Sequence, residues 1–106
     1  FLGYGSPPAN QWIVTSNTAA GGLWNYLLID GAHSNWLYQN ASADAQLYDV
    51  ELAGESDRFG PLHPEGSFGN FVVSIGPFGE QRVKPCGKGN TVYGGQLVDT
   101  TTDPCF

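Results

Sequence analysis

AHSNWLYQNASADA, residues 32–45, is the stretch on which the fold turns. Read at 3.6 residues per turn, His33, Trp36, Leu37 and Asn40 share one face at i, i+3, i+4 and i+7. Ser34 stands where an N-cap would, and Ala, Leu and Gln are adequate helix formers. The spacing predicts a helix here, with a third β-strand as its rival. With that helix the chain is α+β: a single antiparallel β-sheet of five or six short strands with one helix packed on it. Without it, an all-β sandwich or small barrel takes its place.

The flanking segments supply the strands. QWIVTSN (11–17) is rich in Trp, Ile, Val and Thr and reads as a strand, with TAAGG (18–22) as the turn after it. LWNYLLID (23–30) reads as the next. Alternation puts Trp24, Tyr26 and Leu28 on one face and Leu23, Asn25, Leu27 and Ile29 on the other, and two apolar faces imply a central strand. QLYDVELAG (46–54) alternates Tyr48, Val50 and Leu52 against Asp49 and Glu51, the pattern of a half-exposed strand. ESDRFGPLHPEGSFG (55–69) has no periodicity and reads as a long loop. NFVVSIG (70–76), QRVKP (81–85) and NTVYGGQLVDTTT (90–102, interrupted at Gly94-Gly95) complete the strands. No internal repeat or linker is visible, and 106 residues predict a single domain, 1–106.

Charge narrows the partners. The net charge is −6, and the basic residues are Arg58, Arg82, Lys84 and Lys88, all late in the chain. Such a surface repels phosphate, so neither nucleic acid nor an anionic membrane is an expected partner. No apolar run approaches the ~20 residues of a membrane-spanning helix. The chain opens at Phe1 without a signal peptide, which suggests processing or trimming.

Cys86 and Cys105 lie in turn-rich PCGKGN and DPCF. A disulfide between them would close a loop of about 20 residues and contribute about 3 kcal/mol. Asn40-Ala41-Ser42 is an N-glycosylation sequon. Together with the low Lys content and acidic balance these predict a secreted, extracellular glycoprotein. No CxxC pair exists and His33 and His63 are isolated, so no metal or other cofactor is expected.

Three constellations suggest chemistry. The chain has three Trp and five Tyr. Pyranose rings stack their axial C–H groups on aromatic faces, while amides and carboxylates fix the hydroxyls. Residues 24–40 hold both kinds, and the candidate ligand-binding residues are Trp24, Asn35, Trp36 and Tyr38. Large aromatics mostly sit in cores, so two of the three tryptophans are expected to be packing and one exposed. A second constellation is His33, Glu51, Arg58 and His63, which holds the ingredients of a guanyl-type ribonuclease: a base, an acid and an Arg for the phosphorane charge. That family's local motifs and spacing are not present. The third is the acidic run DVELAGESD (49–57), whose Asp49, Glu51, Glu55 and Asp57 lack EF-hand spacing and read as a solvated face.

GGLWNYLLIDGAHSNWLYQN (21–40) and QLYDVEL (46–52) are similar in style to small secreted mushroom proteins of the glycan-binding, immunomodulatory kind. The resemblance covers the first half of the chain and rests on aromatic texture and size. It implies a fungal, secreted, lectin-like module, with a homodimer compatible, and assigns no binding residue. The expected function is therefore non-catalytic binding of glycans or glycoproteins. A small acidic secreted ribonuclease is the alternative. A protease inhibitor or host-directed effector acting through residues 55–69 is the third.

Overall fold

All strand pairings but one among the described residues are parallel, and each joins a strand to one a full turn of chain further on. The structure, a computed structural model, describes residues 2, 9–29, 31–54, 66–76 and 79–105. The first turn carries β1 (Ile13–Thr15), β2 (Thr18–Ala20) and β3 (Trp24–Leu28). The second carries β4 (Trp36–Tyr38), β5 (Ala41–Ala43) and β6 (Tyr48–Leu52). The third has β7 (Phe71–Val73), β8 (Ile75–Gly76), β9 (Gly79–Glu80) and β10 (Arg82–Pro85), and the last β11 (Thr91–Tyr93) and β12 (Gln96–Leu97). They stack into parallel sheets β1-β4-β7-β11, β2-β5 and β12-β10-β6-β3, while β8 and β9 form an antiparallel hairpin. The architecture is a parallel β-solenoid.

This overturns the α+β expectation of one antiparallel sheet with a packed helix, and the sandwich or barrel alternative with it. No helix occurs among the described residues. Residues 32–45 form β4 and β5, with a corner at Gln39 (φ 56°) between them. TAAGG is not simply a turn, since Thr18–Ala20 is β2. Neither is β3 central. It ends its sheet, although Leu2 forms a bridge to Leu28 on its open side.

What holds successive turns in register is a column of buried amides. Gln11, Ser34, Gly69 and Gly89 all take left-handed φ, between 56° and 64°. The residue after each begins the next side of the turn: Trp12, Asn35, Asn70 and Asn90. Asn35 Oδ1 accepts the Trp12 N–H at 3.0 Å, Asn70 Oδ1 the Asn35 N–H at 3.0 Å, and Asn90 Oδ1 the Asn70 N–H at 2.9 Å. The Nδ2 groups donate onward, Asn35 to Ala9 O, Asn70 to Ala32 O and Asn90 to Cys86 O. Asn35 and Asn70 are 0% and 1% exposed. A corner that turns the backbone out of its ladder strands N–H and C=O groups, and the carboxamide supplies one acceptor and two donors to meet them. The chain therefore does repeat. SNWLY (34–38), GNFVV (69–73) and GNTVY (89–93) are three copies of one corner and strand.

A second corner works similarly. Asn40 Oδ1 accepts the Asn17 N–H at 3.2 Å and its Nδ2 donates to Val14 O at 3.0 Å. In the third turn the β8–β9 hairpin interrupts this column, and Gln81 Nε2 donates to the Asn40 carbonyl at 2.9 Å.

Inside, Val14, Leu37, Val72 and Val92 stack across the first sheet, facing Tyr26, Val50, Val83, Leu28 and Leu52 of the opposite one. The outer side of the β12-β10-β6-β3 sheet is covered at Leu27, Glu51 and Lys84, while Arg82 and Gln96 at its other end are exposed. Leu27, Ile29 and Ala53 form a second buried cluster against which Trp24 packs, which separates Trp24 from Tyr26 and Leu28. Lys84 (1% exposed) pairs with Asp103 at 2.8 Å and lies 5.3 Å from the centre of the Tyr48 ring, whose hydroxyl also donates to Asp103. The disulfide Cys86–Cys105 anchors the same tail, as the cysteine spacing predicts. Asp99 turns this tail by accepting from Thr101 Oγ1 and N–H, which hold its carboxyl below the usual range. The 46–54 strand is thus not half-exposed: Glu51 is buried and Asp49 accepts from Ser42 Oγ and the Arg82 N–H. Glu55 and Asp57 of the acidic run lie outside the described residues.

Two stability predictions follow from this arrangement. Asn70→Ala deprives the buried Asn35 N–H and Ala32 carbonyl of their partners, and should cost about 2 to 4 kcal/mol in equilibrium denaturation. Wild-type stability after that single change would show the column to be dispensable. Burial raises the phenol of Tyr26 above 10.0, and burial followed by the Asp103 hydrogen bond raises Tyr48. A raised phenol favours the protonated, folded form, so that stability is intact below pH ~10 and lost as pH climbs through the folded-state values. Denaturation midpoints across this range should fall more steeply for wild type than for Tyr26→Phe.

Candidate functional site

Strand alternation gives the β1-β4-β7-β11 sheet an outer face as well as an inner one. Its outward positions are two rows along the stack, Ile13-Trp36-Phe71-Thr91 and Thr15-Tyr38-Val73-Tyr93. This face is open where the outer side of the opposite sheet is covered at Leu27, Glu51 and Lys84. Ile13 is 66% exposed, Trp36 55% and Tyr93 64%. Trp36 and Phe71, on neighbouring strands, lie with ring centroids 5.2 Å apart and planes tilted by 37°.

Two shallow grooves meet at Trp36. One, of about 500 Å³, runs between the rows and is lined by Ile13, Trp36, Tyr38, Gln39, Phe71 and Val73. The other, of about 320 Å³, lies on the corner side, with Gln11, Trp12, Ile13, Ser34 and Trp36. Among the described residues, none that lines either groove is a carboxylate or a cation. The hydrogen-bonding side chains on hand are Gln11, Ser34, Gln39 and the Tyr38 hydroxyl. Such a surface can stack flat apolar faces and offer a few neutral polar contacts around them.

The four predicted ligand-binding residues do not come together. Trp36 and Tyr38 share the open face. Trp24 belongs to the opposite sheet, half-buried on the Leu27 cluster. Asn35 is withdrawn from solvent altogether, its oxygen and nitrogen engaged in the amide column. Among the tryptophans the balance is the reverse of that expected: Trp12 (59%) and Trp36 are exposed, and only Trp24 packs. Ile13, Phe71, Tyr93 and Trp12 were not singled out by sequence. The signal that finds them is the aligned repeat, which puts Ile13, Trp36 and Phe71 in one register.

Of the ribonuclease set, Arg58 and His63 lie outside the described residues, as does most of the 55–69 segment proposed for an inhibitor or effector. His33 sits at a corner, its Nδ1 2.8 Å from Gly31 O and its ring stacked on Phe68 at 4.6 Å. Glu51 is buried in β6, in register with Lys84 of β10. Among the described residues, no three His, Cys, Asp or Glu side chains gather as metal ligands.

Asn40, the sequon residue, is 6% exposed and its Nδ2 is the atom that donates to Val14 O. A sugar on that nitrogen would replace a corner hydrogen bond with a bulky substituent inside the fold, which argues against a glycan at Asn40.

No protein-family model, curated protein or solved structure matches this chain when each set is searched.

From the Asn40 geometry we expect folded protein secreted by a glycosylating host to carry no glycan at this position. Peptide mass mapping checks this, and an occupied Asn40 in folded material would contradict the corner geometry.

Proposed function

We propose that the protein is a secreted, non-catalytic carbohydrate-binding module that holds its ligand on the outer face of β1, β4, β7 and β11. The observation that carries this reading is an open aromatic surface centred on Trp36 and Phe71, with no charge among the described residues that line it. Trp36 and Tyr38 are the stacking residues, joined by Phe71, and Gln39 and Gln11 are positioned at the groove edges to meet hydroxyls. An indole more than half exposed on a small domain is unfavourable to leave in water, and pyranose C–H faces suit it without demanding charge.

Secretion is part of the proposal. It is supported by the Cys86–Cys105 disulfide, which persists in oxidising compartments. Among the described residues no helix is long and apolar enough to cross a membrane. The charge of −6 disfavours nucleic acid and other polyanions as ligands.

A glycan-array screen of the purified protein tests the reading. The expected result is saturable binding to one related set of sugars. Trp36→Ala should weaken it about tenfold or more, with thermal stability little changed because the side chain is largely exposed. A blank array at high protein concentration would end the proposal.

A further inference from the structure

The geometry points to an extended, neutral, β-1,4-linked polysaccharide lying along the solenoid axis, about one sugar ring per turn. This rests on the carbohydrate reading and specifies its ligand. The argument begins with the shape of the face. Its strands are three residues long, about 10 Å, and four of them stack over about 14 Å at the spacing of paired strands. The long direction is therefore across the strands. The aromatic side chains recur in that direction too: Trp36 and Phe71 occupy equivalent positions on successive turns, and Tyr38 and Tyr93 stand in the parallel row.

A ligand that exploits this must present flat apolar faces one after another at close to the strand spacing. β-1,4-linked glucose-type rings have equatorial linkages and substituents, so the chain is a straight ribbon with its ring faces nearly coplanar. α-1,4-linked chains coil, and their successive faces turn away from a flat surface. The ring spacing of the ribbon is close to the separation of adjacent strands, which lets neighbouring sugars meet neighbouring turns.

Size and charge argue against other occupants. The footprint, about 10 by 14 Å, is far below the ~800 Å² that each partner buries in a stable dimer. Among the described residues none that lines the grooves is charged, and the chain as a whole is at −6, so uronic acid and sulfated polymers would be repelled. Neutral glucan and its N-acetylated counterpart remain.

The test is calorimetric titration of the intact protein with cello- and chito-oligosaccharides of one to six rings, with malto-oligosaccharides as the α-linked series. Affinity in at least one β-linked series should rise about tenfold or more from two rings to four and level off beyond. The α-linked series should stay weak at every length. Tyr93→Ala, at an exposed end position, should reduce tetramer affinity while leaving that for dimers unchanged. Trp36→Ala should weaken all lengths. Affinity independent of length, or α-linked chains binding as tightly as β-linked ones, would overturn the axial arrangement while leaving carbohydrate binding in place. If no series binds and the glycan array is blank as well, the carbohydrate reading fails and this inference falls with it.

Discussion

Asn70 receives hydrogen bonds from the backbone and side chain of Asn35 and gives them to the Ala32 carbonyl and to Asn90. Through it, three turns of the chain are tied at one corner, and the other features of the fold depend on that tie. The parallel pairings of a solenoid are not joined by hairpin turns that set their register, and a slip of one residue would turn every inward valine outward. The buried carboxamides remove that freedom, because only one register places each oxygen against the preceding turn's N–H. Unequal turns are tolerated as long as the corner is met. The partners in successive rungs are separated by 23, 35 and 20 residues, yet the distances stay between 2.9 and 3.0 Å.

From this constraint the difference between the two large sheets follows. Both have apolar inner rows, but their outer sides are treated differently. On the β12-β10-β6-β3 sheet, Leu27, Ile29, Ala53 and Trp24 close one region, and the tail held by Cys105 and Asp103 closes another. Lys84 is tolerated there at 1% exposure because Asp103 and the Tyr48 ring face it. On the β1-β4-β7-β11 sheet nothing among the described residues lies over Trp36 or Tyr93. The scaffold thus presents one open face whose side chains recur at strand spacing.

Much of the strand content is legible in the sequence, because β-branched and aromatic runs mark β1, β3, β6, β7 and β10. The connectivity is not. His33, Trp36, Leu37 and Asn40 imitate a helical face because the corners at Ser34 and Gln39 fall five residues apart, so inward and outward positions return at intervals of three and four. A corner that changes direction every few residues resets alternation before it can be recognised. The repeat SNWLY, GNFVV, GNTVY is present but aperiodic, since its copies begin 35 and 20 residues apart. Asn35 and Asn40 mislead for a related reason. A polar residue beside aromatics looks like a ligand contact or a sequon, and only the stacked corner shows that its hydrogen bonds are already made. The candidate site was half legible: Trp36 and Tyr38 could be named, but Phe71, Tyr93 and Ile13 come next to them only through the solenoid register.

Trp12 shows how the column and the face are connected. It occupies the rung equivalent to Asn35, and its N–H is accepted by the Asn35 oxygen. An indole has a donor but no acceptor, so it cannot pass the column on to another turn as asparagine does. The same substitution sets a broad aromatic side chain, 59% exposed, at the rim of the groove that ends on Trp36. On the other large sheet, Leu2 donates its N–H to the Leu27 carbonyl and accepts the Ile29 N–H at 2.8 Å, occupying hydrogen-bonding groups that an edge strand would otherwise offer to a neighbour. One sheet is thus closed at this end by pairing and the other by a change of side-chain chemistry, and the second solution adds an aromatic wall to the binding face.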